Sequence, residues 1–226
     1  MDKTLGASKA LKKLVHVDAG EVKLAGDLVI PDTASALVVF VHGSGSSRKS
    51  PRNRQVANFL NEAGLATLLF DLLTGREESV DLVTARLRFD IDLLAQRVIE
   101  TTKWLLLYRE TSALKIGYFG ASTGAAAALV AAAKMPQAIG AVVSRGGRPD
   151  LAEAELEHVK APTLLIVGGN DHPVIELNRE AFERLTQAQK ELIIVPGATH
   201  LFEEPGKLEK VAELARDWFK LHLCSL

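Results

Sequence analysis

Cysteine is almost absent from this 226-residue sequence, where Cys224 stands alone. A single thiol forbids an internal disulfide and fits a reducing compartment. An excess of charge of one sign is missing as well. Lysine and arginine total 27, aspartate and glutamate 28, and the formal net charge is −1. Dedicated nucleic-acid binders usually carry a strong basic excess, so this balance argues against one. Long hydrophobic runs are lacking too. The richest, 124–133, stops at Lys134, too short to span a bilayer and suited to a buried helix. Residues 1–14 hold lysines but no unbroken apolar stretch, which is not the pattern of a secretory signal. The six histidines form no HExxH, and the lone cysteine forms no Cys pair, so no metal site is indicated. No repeat of about 20–50 residues recurs, which removes solenoids and propellers. The expectation is a soluble, cytoplasmic protein with no nucleic-acid, membrane or metal partner and no cofactor.

What is present suits one globular domain: 47% hydrophobic and 24% charged residues, with no Pro/Gly/Ser linker dividing the chain. Short apolar runs alternate with longer amphipathic stretches. Residues 14–17 and 22–30 read as an opening pair of strands around Ala19-Gly20. The runs 36–41, 65–70, 116–119, 139–143, 163–167 and 191–195 read as strands of the buried type. A helix is expected over 52–63, ended by Gly64. Ile91, Leu94, Val98 and Leu105 mark a second helix, and Leu208, Val211, Ala215 and Trp218 a last one. Such alternation predicts an α/β fold, a mostly parallel doubly wound sheet with helices on both faces. Residues 72–88 carry no firm period and read either as a loop or as part of a cap.

Ligands bind beyond the carboxyl ends of the strands in such sheets. Gly120-Ala121-Ser122-Thr123-Gly124 falls there as G-x-S-x-G between a strand and an Ala-rich helix. A serine at that sharp turn needs small neighbours, and the following helix aims its first amides at the site. Ser122 is therefore the expected nucleophile. A serine needs a base, and His200 follows the last strand; Asp171 follows the strand before it and can orient the imidazole. The Thr123 amide is one expected oxyanion donor. Ser44, with Gly43 or Gly45 as alternatives, is the other, from the small-residue loop that follows strand 36–41. His42 reads as a hydrogen-bonded scaffold residue. Arg145, Arg148 and Arg48 lie toward the same edge; Arg145 and Arg48 are the expected contacts for an anionic substrate. Residues 43–50 nearly match a phosphate-binding loop, but Arg48 stands where the motif needs glycine.

Four blocks carry a wider resemblance: HGSGSSR at 42–48, GYFGASTGAAAAL at 117–129, LLIVGGNDHPV at 164–174 and VPGATHLFEEPG at 195–206. Together they resemble the α/β-hydrolase superfamily and, within it, the dienelactone hydrolase family. That resemblance implies Ser122 as nucleophile, Asp171 as orienting acid and His200 as base, acting on a small ester, lactone or thioester. The family's namesake enzymes use cysteine, where this chain has serine. A non-catalytic binding module, an acyltransferase or a peptidase on the same scaffold are the alternatives.

Overall fold

The computed structural model describes residues 10–224, so Met1 to Lys9, most of the segment screened for a leader, lie outside the described residues. One sheet of eight strands runs in the order β1-β2-β4-β3-β5-β6-β7-β8. β1 (Ala10–Ala19) and β2 (Val22–Pro31) form an antiparallel hairpin, and β2 pairs antiparallel with β4 (Ala66–Phe70). Every later pairing is parallel, through β3 (Ala36–Val41), β5 (Lys115–Ala121), β6 (Ile139–Arg145), β7 (Thr163–Gly168) and β8 (Lys190–Val195). Every residue of β3, β4 and β7 is buried, as the unbroken apolar runs required.

Helices cover both faces. α1 (Pro51–Glu62) and α6 (Lys207–Leu223) pack on one, using Val56, Leu60, Val211, Ala215 and Trp218. α3 (Ile91–Leu107), α4 (Thr123–Lys134) and α5 (His172–Arg184) pack on the other. This is the mostly parallel, doubly wound architecture expected, and its parallel crossovers gather the loops at one edge of the sheet. α4 is buried from Thr123 to Ala132 because its alanines let it lie close to the sheet. Its apolar run is thus a core helix, and no helix among the described residues is long and apolar enough to cross a membrane.

Residues 72–88, left open between loop and cap, form α2 (Gly75–Thr84) and a 3-10 turn, Leu87–Phe89. Thr74 and Glu77 build a capping box that starts α2: the Glu77 amide donates to Thr74 Oγ1, and the Thr74 amide donates to Glu77 Oε2 at 2.7 Å. Ala85, at φ 52°, ends it. The helix is turned inside out relative to the others. Its one buried residue is Asp81, while Val80, Leu82 and Val83 face outward.

Candidate active site

Ser122 sits between β5 and α4 at φ 51° and ψ −126°, a left-handed region that L-residues rarely occupy. Tight packing holds it there. A Cβ on Gly120 would come within 2.5 Å of the Ala125 Cα, and one on Gly124 within 2.2 Å of the Val41 carbonyl oxygen. Only glycine fits at either place, which is the steric reason for the motif. The Ser122 carbonyl accepts from the amides of Ala125 (3.1 Å) and Arg148 (3.0 Å), pinning the turn from two directions.

Asp171 and His200, the expected acid and base, stand on the loops after β7 and β8. Asp171 Oδ2 lies 2.7 Å from His200 Nδ1, so the carboxylate fixes the ring orientation. Although Asp171 begins α5, its side chain makes no capping bond and is directed to the imidazole instead. The two loops are stitched together by main chain: the Gly169 amide donates to the Val195 carbonyl (2.8 Å) and the Asn170 amide to the Ala198 carbonyl (2.9 Å). A Cβ on Gly168 would meet the Ala198 oxygen at 2.5 Å, so close approach of these loops demands glycine. Glu204 braces the histidine loop by accepting from the Thr199 amide at 3.1 Å. The hydrogen bonds to Thr199 head the causes that hold its carboxyl below the ordinary glutamate range. His200 and Ser122 are both partly exposed on the same edge, and no hydrogen bond joins their side chains. Catalytic hydrogen bonds are often long in unliganded sites and tighten around substrate.

The loop after β3 packs directly on Ser122. A Cβ on Gly43 would stand 2.9 Å from the Ser122 Cβ, and the Ser44 amide donates to Thr123 Oγ1 at 2.9 Å. The two expected oxyanion donors, Ser44 and Thr123, therefore meet in one corner. The Thr123 amide opens α4 and has no intrahelical acceptor. His42 positions this loop. Its Nε2 accepts from the Leu72 amide at 3.1 Å, so Nδ1 carries the proton and donates to the Gly43 carbonyl at 2.9 Å. Burial holds the His42 pKa below the usual histidine value, keeping the ring neutral as this bonding requires.

The phosphate-loop resemblance at 43–50 finds no cradle here. The amides of Ser44, Ser46, Arg48, Lys49 and Ser50 are all engaged by the protein itself. The arginines expected at the substrate are also redirected. Arg48 binds Asp71 through its amide (2.8 Å) and its guanidinium, and Asp27 lies 3.7 Å from its Nε. Arg145 is buried against α1, where Nη2 donates to Asn53 Oδ1 at 3.1 Å. Burial, followed by the like charge of Arg52, lowers its pKa to about 10. Arg148 pairs with its neighbour Asp150. Sequence reasoning did not find Asp71, Asn53 or Glu204, because their roles depend on partners brought in by the fold.

The fold and this edge define an α/β-hydrolase. The dienelactone hydrolase family matches residues 24–222, and the chain belongs to that family. A crystal structure of a dienelactone hydrolase from Anabaena variabilis is 61% identical, superposes with a TM-score of 0.93, and covers 95% of this chain and 99% of its own. A Mycobacterium tuberculosis protein that bears a provisional name as a phosphoribosyl transferase is 58% identical over 210 residues, 93% of this chain. The chain spans only 46% of that relative's length. Est1E from Butyrivibrio proteoclasticus, 17% identical with a TM-score of 0.74 over 91% of this chain and 97% of its own, shares the fold.

Proposed function

We propose that this chain is a serine hydrolase that cleaves small carboxylic esters, lactones or thioesters through an acyl-enzyme. The observation that carries this reading is the joint placement of a strained, glycine-flanked Ser122 and an Asp171–His200 pair with an Nδ1–Oδ2 distance of 2.7 Å. Asp171 holds the Nδ1 proton, leaving Nε2 free to act as base. His200 takes the Ser122 hydroxyl proton as Oγ attacks the substrate carbonyl carbon. The carbonyl oxygen becomes an oxyanion, received by the Thr123 amide and by the Ser44 amide, which exchanges its Thr123 hydroxyl partner for it. The imidazolium then protonates the departing alkoxide or thiolate as the carbon–leaving-group bond breaks. A water deprotonated by the same histidine attacks the acyl carbon, and Ser122 regains its proton as the acid leaves.

The dienelactone hydrolase name of the 61%-identical structure supports ester or lactone chemistry. The transferase name belongs to a protein about twice as long, and nothing in the 43–50 loop favours phosphate binding in this chain. A fluorophosphonate probe tests the reading. Wild type is expected to label at Ser122 and Ser122→Ala to stay unlabelled with an unchanged melting curve. Equal labelling of both proteins would remove Ser122 from the mechanism. No labelling and no turnover of any ester would favour a non-catalytic scaffold.

A further inference from the structure

A cavity of about 80 Å³ opens beside the oxyanion loop, on the side away from His200. Its near wall is the loop from His42 to Ser47, and Gly43 of that wall lies against the Ser122 side chain. Its far wall is aliphatic, formed by Leu72, Leu73, Leu82 and Leu94. The remaining lining is Asp71, Glu78, Asp81 and Arg88, three carboxylates against one guanidinium. Sheet order gives the cavity its direction. Ser122 follows β5; the acid and base follow β7 and β8, while the cavity lies past β3 and β4 on the other side. The leaving group must reach the histidine that protonates it, so it points toward β8. The acyl arm of the same ester then extends toward β4, into the cavity.

The charges around it are already committed, with one exception. Asp71 is bound by Arg48. Asp81 accepts from Arg88 Nε (2.6 Å) and from the Leu87 and Arg88 amides. Glu78 makes no ion pair among the described residues and stands exposed on α2. The one cation of the lining, Arg88, is paired with Asp81, and Arg145 is buried against α1 on the opposite face of the sheet. A substrate carboxylate entering here would leave water for a site with net negative charge.

We propose, resting on the serine-hydrolase reading, that this cavity is the acyl pocket and that it selects short, uncharged aliphatic acyl groups while rejecting carboxylate-bearing ones. At roughly 10–15 Å³ for each water-sized group, the volume of about 80 Å³ takes an acyl arm of about five to eight carbons. Leu82 on α2, largely exposed, stands at the rim of the aliphatic wall, and Glu78 supplies the unfavourable charge.

Turnover of p-nitrophenyl esters from acetate to decanoate by the purified chain tests the pocket, together with the half-ester of adipic acid as the charged counterpart of hexanoate. kcat/KM is expected to peak at about five to eight carbons and to favour hexanoate over the adipate half-ester about tenfold or more. Leu82→Trp should move the optimum about two carbons shorter, because methylenes lose their apolar wall. Glu78→Gln should narrow the hexanoate preference about threefold. A preference for the half-ester, or an optimum that Leu82→Trp leaves in place, overturns the assignment even where Ser122 reacts with fluorophosphonate. Absence of both labelling and turnover shows instead that the underlying reading has failed, and the pocket assignment falls with it.

Discussion

The β7–β8 loop pair and the α2 cap border the same site and are held by different kinds of bond. Asp171 and His200 stand on loops joined by main-chain hydrogen bonds and by a glycine contact that admits no side chain. α2 is fastened by side chains: Glu77 to Arg97 of α3 at 2.8 Å, Asp81 to Arg88, and hardly any apolar burial. Main-chain stitching fixes geometry whatever the surrounding side chains are. Side-chain fastening allows the neighbouring wall to change with single substitutions. The proposed chemistry thus rests on the rigid part and the proposed selectivity on the adjustable part.

Substitutions in the rigid part should be the most damaging. Ser122→Ala is expected to lower kcat by about 10⁴-fold or more, measured on a short p-nitrophenyl ester. Asp171→Asn should cost about 10³–10⁴-fold in kcat with little change in KM, because the amide no longer holds the required tautomer. A loss of under tenfold would deny Asp171 its orienting role. Gly124→Ala places a methyl group against the Val41 carbonyl and should destabilise the fold by about 3 kcal/mol, lowering Tm by roughly 6–12 °C.

The cap should respond differently. Arg88→Ala leaves the buried Asp81 without its cation and is expected to raise KM several-fold while Tm falls by about 2–6 °C, less than for Gly124→Ala. A collapse of Tm as large as that of Gly124→Ala would erase the contrast between the two regions. The smallest effect is the pH dependence of stability from His42. Its folded pKa lies below the ordinary value of 6.5, so the unfolded chain takes up a proton first as pH falls. The stabilising contribution is complete above that value and declines below it, by at most about 1.4 kcal/mol per pH unit. Thermal melts from pH 8 to pH 5 should show this slope, and His42→Gln should flatten it.

The same contrast separates what the sequence revealed from what it concealed. The strands were legible because runs such as 36–41 and 164–167 are apolar at every position, a pattern that burial on two faces imposes. Ser122, Asp171 and His200 were singled out because each follows a strand, and those strands, β5, β7 and β8, lie in the parallel part of the sheet. α2 was not, since it points its apolar residues outward and buries an aspartate, the reverse of the usual amphipathic signal. The arginines misled for a related reason. The fate of Arg48 was decided by Asp71 and that of Arg145 by Asn53, 92 residues away. Local sequence shows that a charge exists but not which distant partner neutralises it.

The left-handed backbone of residue 122 is imposed by the glycines and carbonyls around it, not by the hydroxyl it carries. Any compact nucleophile installed there inherits the same presentation to the solvent edge. Exchange of oxygen for sulfur at this one atom therefore leaves the scaffold untouched, and under the proposed mechanism a lineage moves between a hydroxyl and a thiol nucleophile in a single step without rebuilding its fold.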